Sequence, residues 1–267
     1  MFAPIRTGLA VIFAFHAIPV ISSLAADAHE TRVMCSGGFS AALQRLAPVF
    51  EKNGSHLVVI RGPSMGTTND AIPARLARGE KCDVLIMVGS ALDALHARGL
   101  TGETKILADS RIGLVVKAGT VHPDISSDAA LRKTLLAAPL VAFSDSASGV
   151  YVSHTLFDRL GIARQMASKA RQIQETPVAE IVARGDAALG LQQISEIIPV
   201  AGASLVGPIP EDLQKITHFS AALCRDSPNP EGGKALIHYL SSAQNADDIR
   251  STGLDPVQTR AWGPIHD

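Results

Sequence analysis

The chain has 267 residues, 46% hydrophobic and only 4% aromatic, and its 24 basic and 25 acidic side chains leave a formal net charge of −1. Opposite charges are interspersed, so no long-range field exists to grip a polyanion, and nucleic acid is not an expected partner. The shortage of aromatics likewise leaves base-stacking and sugar-stacking platforms poorly supplied.

The chain starts with a short positive segment, Met1 to Arg6, followed by an apolar run over 9–21 and small residues around Ala25 and Ala26. This pattern predicts a signal peptide over 1–26 and a periplasmic protein. An apolar run of about 13 residues is too short for a membrane anchor, which needs roughly 20. No lipobox-style Cys follows, so the mature protein is expected to be free of lipid.

Strand-like and helix-like stretches then alternate. Strands are expected over 31–35, 56–60, 84–88, 112–117, 140–143, 188–192 and 219–224, and helices over 40–53, 71–78, 91–98, 150–160, 178–184 and 233–241. Such alternation predicts an α/β fold with a parallel or mixed sheet covered by helices. The strands at 112–117 and 219–224 are flanked by loops and suggest two crossings between lobes. The expected division is 27–112 with 219–267 as lobe one and 113–218 as lobe two, with a cleft between them where a small ligand would bind.

Cys35, Cys82 and Cys224 are an odd number for an oxidising compartment and permit one disulfide at most. All three lie in apolar runs, so buried free thiols are the expectation. The nine His show no HxxxH pairing and no CxxC is present, so neither a metal nor a cofactor is expected.

Four segments end strands at the edge that open α/β sheets turn toward ligands. In the first, Ser36, Gly37 and Gly38 form a corner whose free N–H groups could face an anion, although an ordinary turn with Ser40 as helix cap would read the same way. In the second, Arg61 could clamp a carboxylate with two prongs, followed by Ser64, Met65, Gly66, Thr67 and Thr68 in a loop. In the third, Ser146, Ser148, Gly149, Val150 and Tyr151 form a donor-rich helix start, and Asp145 caps it or ties the lobes together. In the fourth, Gln192 and Gln193 end a strand, and because neighbours on a strand point to opposite faces only one is expected to reach the cleft. His154, Glu175, Glu180 and Asp145 are candidate bases, but no spacing singles one out.

With these residues in hand, the chain resembles the periplasmic solute-binding proteins of the molybdate-binding type, which have the type II periplasmic-binding-protein fold. The resemblance runs through "RVMCSGGFSAALQRLAPVF", "ARLARGEKCDVLIM", "GLVVKAG", "SDSASGVYVSHTLFDRLGI", "ALGLQQISEI" and "IHYLSSAQNADDIRSTGL". It implies two α/β lobes, a two-segment hinge, and a monomer that captures a small anion for an inner-membrane ABC permease. The molybdate binders place a serine hydroxyl where this chain has Gly38, a serine run where it has Gly62 to Thr68, and a tyrosine near Gln193. These departures point to an organic carboxylate in place of a compact oxyanion. The chain also resembles the periplasmic aconitate isomerases, which interconvert trans- and cis-aconitate without a cofactor. The leading expectation is a carboxylate-binding receptor, the alternative an aconitate isomerase, and the third reading a molybdate or tungstate receptor with altered ligands.

Overall fold

A computed structural model describes residues 30–257 except Glu175. The segment expected as a signal peptide, 1–26, and the candidate base Glu175 lie outside the described residues.

In chain order the strands are β1 (Glu30–Cys35), β2 (His56–Arg61), β3 (Val84–Val88), β4 (Lys105–Ser110), β5 (Ile112–Lys117), β6 (Val141–Ser144), β7 (Ala170–Ile173), β8 (Leu189–Gln193), β9 (Ala203–Pro208), β10 (Thr217–Leu223) and β11 (Leu254–Pro256). They form two mixed sheets, ordered β11-β4-β10-β3-β1-β2 and β7-β6-β8-β5-β9. β1 pairs parallel with β2 and β3, and β6 pairs parallel with β7 and β8, whereas β10 and β5 run antiparallel to their neighbours. The fold is the two-lobed α/β arrangement expected from the sequence.

Central strands buried on both faces account for the continuous apolar runs. In β1 and β3, Val33, Cys35, Val84 and Ile86 join one core with Phe39, Leu43, Leu46 and Phe219, while Met34, Leu85 and Met87 join another with Ile72 and Leu92. The second sheet repeats the device, Leu114 and Val116 packing on Leu131 and Leu135, and Val115 on Val178 and Val182. β7 and β9 lie at the sheet edges with mostly half-exposed side chains, and β11 has three residues. Neither feature produces a readable apolar period, which is why the sequence did not predict them.

Helix α1 (Gly37–Phe50) starts three residues earlier than expected: Ser36 is its N-cap, and the two glycines form its first turn. The other α-helices are α2 (Ile72–Ala77), α3 (Gly89–Ala97), α4 (Asp128–Ala137), α5 (Ala147–Tyr151), α6 (Phe157–Arg159), α7 (Ala163–Met166), α8 (Val178–Arg184), α9 (Ile194–Ile197), α10 (Pro230–Leu240) and α11 (Ala246–Arg250), with a π-helical stretch, Val152–Leu156, joining α5 to α6.

The expectation of three free thiols is corrected at one pair: Cys82 and Cys224 form a disulfide, with Cα atoms 6.2 Å apart. The antiparallel pairing of β3 with β10 sets Val84 opposite Leu223, which brings the residues just outside that pair together. A contact across 142 residues leaves no trace in local spacing. Cys35 remains a buried free thiol, pushed up to about 12 by burial with the charge of Arg61 opposing, so it is an unreactive core side chain.

The chain leaves the first sheet after Ser110 and enters the second at Ile112, and it returns between Pro208 and Thr217. Arg111, at the first crossing, pairs with Glu211 from the return crossing and with Asp255 of β11 at 3.3 Å. Gln214, at the second, accepts from the Ile112 N–H at 3.0 Å and donates to the Ile112 carbonyl at 2.8 Å. The two crossings are therefore tied to each other. Among the described residues no helix is long and apolar enough to cross a membrane.

Candidate functional site: a cleft between the two sheets

A cavity of about 500 Å³ lies between the sheets, bordered by the carboxyl ends of β1, β2, β3, β6 and β8 and by the helix starts that follow them. A parallel strand entering a helix through a short corner leaves the first N–H groups of that helix without intrahelical partners. Each corner therefore supplies donors to the same space.

On the first-lobe side the wall is Ser36, Gly37 and Gly38 at the start of α1, with Arg61 at the end of β2 and Ser64 beyond it. Ser36 Oγ is buried without a hydrogen-bond partner among the described residues. Ser64 Oγ accepts from the Val88 N–H at 2.9 Å, which fixes the loop after β2 against β3. Arg61 is exposed and forms no ion pair or side-chain hydrogen bond among the described residues, so its fork of donors is free to meet an anion.

On the second-lobe side, Ser144, Ser146 and Ser148 form a hydroxyl cluster, with Ser144 Oγ 2.7 Å from Ser146 Oγ and 3.2 Å from Ser148 Oγ. Both Gln192 and Gln193 border the cavity, whereas the sequence led us to expect one. The alternation rule fails here because β8 ends at Gln193, which is already the N-cap of α9, so the chain turns between the two side chains. Gln192 Oε1 accepts from the Ala179 N–H at 3.0 Å, and Gln193 Nε2 donates to Thr217 Oγ1 at 3.0 Å. Gln193 Oε1 is buried with no partner among the described residues.

The cleft thus collects Ser36, Gly37, Gly38, Arg61, Ser64, Ser146, Gln192 and Gln193. It does not collect the remainder of the expected set. Gly66 and Thr67 are exposed on the loop and Met65 is half-buried beside them. Ser148 is buried beneath Ser144, and Gly149 lies so close to the Ser144 carbonyl that a Cβ would come within 1.5 Å of it. Val150 faces solvent, and the Tyr151 hydroxyl donates to the Leu213 carbonyl at 2.8 Å, away from the cleft. Of the candidate bases, His154 is exposed outside the cleft, while Asp145 and Glu180 border it.

The sequence reading did not single out Glu196. It stands in the first turn of α9, where an acidic residue reads as ordinary helix-start chemistry, and only the tertiary structure carries it across the cleft. A Cβ on Gly37 would lie 2.1 Å from Glu196 Oε1. Beside it, Ser195 Oγ donates to the Gly38 carbonyl at 2.7 Å. Burial raises the Glu196 carboxyl to about 7, against a lowering hydrogen bond from Gln192 and with a smaller raising effect of Asp145. Asp145 is itself raised, chiefly by burial, with a hydrogen bond from its own backbone opposing and Asp70 adding to the rise. Among the described residues no group of three or more His, Cys, Asp or Glu is placed to hold a metal ion.

Two α/β lobes, a paired crossing and a donor-lined cleft between them are the architecture of the periplasmic solute-binding fold. The chain belongs to the bacterial extracellular solute-binding proteins, whose family model matches residues 31–255. A curated relative from Pseudomonas sp, an aconitate isomerase, is 46% identical over 228 residues, covering 84% of this chain and 87% of the relative. The fold is shared with the periplasmic molybdate-binding protein of Azotobacter vinelandii, with a TM-score of 0.70 at 18% identity, covering 85% of this chain and 100% of that one. It is shared too with the sulfate-binding protein SubI of Mycobacterium tuberculosis, with a TM-score of 0.64 at 12% identity, covering 86% and 88%.

Proposed function

We propose that this protein is a periplasmic aconitate isomerase built on a solute-receptor fold. The observation that carries the reading is the 46% identity to an aconitate isomerase over most of both chains. The cleft supports it through a free guanidinium and the start of a 14-residue helix, both suited to carboxylates. The disulfide and the family support a periplasmic location.

The reaction is a 1,3-proton shift. A base takes a proton from the methylene carbon, and the C–H electron pair becomes the new double bond. The old π pair accepts a proton at the other allylic carbon. No atom is gained or lost, so the reaction balances without a co-reactant. Negative charge accumulates on the flanking carboxylates during transfer, and in this reading Arg61, the Ser146 hydroxyl and the N–H groups at the start of α1, all of which line the cleft, stabilise it.

The family itself favours a second reading, a receptor that hands a carboxylate to an ABC permease. One experiment separates them. Purified protein incubated with trans-aconitate and followed by proton NMR is expected to accumulate cis-aconitate. Binding of both aconitates by calorimetry with no turnover over hours at high protein concentration would overturn the isomerase reading in favour of the receptor.

A further inference from the structure

The proposed reaction requires a group that carries a proton between two carbons, and four carboxyl groups border the cleft: Asp70, Asp145, Glu180 and Glu196. Their surroundings differ. Glu180 is exposed on α8, whereas Asp70 and Asp145, on the loops that follow β2 and β6, and Glu196 are all half-buried. Glu196 is the one whose carboxyl, carried by α9, lies against the start of α1 on the other side of the cleft. Gln192, near the end of β8, is anchored by the Ala179 N–H, and Ser195, adjacent to Glu196, donates to the Gly38 carbonyl across the cleft. Its Oε1 occupies the space that a side chain on Gly37 would fill, so this carboxyl rests on the wall where α1 presents its free N–H groups.

We infer that Glu196 is the catalytic base, removing the methylene proton of aconitate and returning it to the far allylic carbon. The assignment rests on the isomerase reading. A single carboxyl reaching both carbons on one face of a planar allylic system needs a fixed position, and the close fit of Oε1 against Gly37 beside the Ser195–Gly38 bond supplies one. It also needs a proton affinity above that of a solvated carboxylate to take a proton from carbon, and burial provides it. The charged groups that share its cleft are Asp145 from the turn after β6, Arg61 from β2, Asp70 from the following loop and Glu180 from α8, while the first turn of α1 has no charged side chain. A receptor gains nothing from a carboxyl at this place, since it repels a polyanion whenever it is ionised.

The test uses the full mature protein and three variants, Glu196→Gln, Glu196→Asp and Gly37→Ala, with tricarballylate as a non-reacting probe of binding. Glu196→Gln is expected to lower kcat by roughly 10²–10⁴-fold, the usual contribution of a positioned base. It is also expected to abolish uptake of deuterium into trans-aconitate in D₂O, yet to bind tricarballylate within about tenfold of the parent. For the parent, kcat/KM should rise with pH and level off above about 7, because the base acts ionised, and Glu196→Asp should displace that limb. Gly37→Ala keeps the carboxyl but displaces it from the start of α1, so kcat should fall with little change in affinity. Turnover by Glu196→Gln within a few-fold of an active parent, or loss of tricarballylate binding along with turnover, would overturn the assignment while leaving the isomerase reading intact. A parent that binds tricarballylate but never isomerises removes the reading and the assignment with it.

Discussion

Gly38 shows how one residue answers two questions at once. A Cβ there would lie 2.1 Å from the tip of the Phe219 ring and within 2.8 Å of two further ring atoms. Phe219 is 2% exposed and locked into the core between β3 and β4, so it cannot swing away. The absence of a side chain at this position is therefore coupled to a large side chain elsewhere in the fold. Gly38→Ser is expected to destabilise the protein by about 1–3 kcal/mol, the usual cost of overpacking a filled site, with no gain in molybdate affinity. Urea unfolding and calorimetry with molybdate check both parts. Gly37, one residue earlier, meets only the end of a flexible glutamate, so the same change there should cost far less stability.

Among the elements, β3 and β10 join the cleft to the disulfide. Val88 and Phe219 are paired at one end of this antiparallel ladder and border the cavity, while Val84 and Leu223 are paired at the other, next to Cys82 and Cys224. The covalent link therefore secures the end of the ladder far from the chemistry. Replacing Cys82 and Cys224 together by Ala is expected to lower stability by about 2–5 kcal/mol, chiefly by freeing the unfolded chain, and to leave ligand affinity unchanged. A urea midpoint that falls together with an unchanged calorimetric Kd would bear this out. The β8–α9 corner shows the opposite arrangement: its two glutamines and Glu196 all point into the cleft or brace what does.

For the molecule as a whole, a ligand in the cleft touches walls that belong to different sheets, so binding and stability are linked through closure. At a ligand concentration of about 100 times Kd the linkage amounts to about 2.7 kcal/mol. A chain of this size then melts about 5–10 °C higher. Tricarballylate is expected to produce a rise of that order by differential scanning fluorimetry, and Arg61→Ala to remove most of it. A rise that survives Arg61→Ala would place the ligand's carboxylates on other donors.

Much of this was legible in the sequence because it rests on local chemistry. Strands such as Val84–Val88 are uniformly apolar because both faces are covered, and corners such as Ser36 to Gly38 carry small residues because a helix begins there with Glu196 and Phe219 packed against it. From these come the α/β class, two crossings and four donor-rich walls. Pairings between distant residues were not legible. Cys82 meets Cys224, Phe219 fills the space over Gly38, and Glu196 reaches Gly37 only because separate strands are set side by side, and no local period records that neighbourhood. The sequence by itself determined the two-lobed α/β fold and the small, donor-rich corners at its strand ends. The tertiary structure decided which carboxyl group comes to rest against Gly37 at the start of α1, because that neighbourhood is set by the packing of separate elements in space and not by what precedes a residue in the chain.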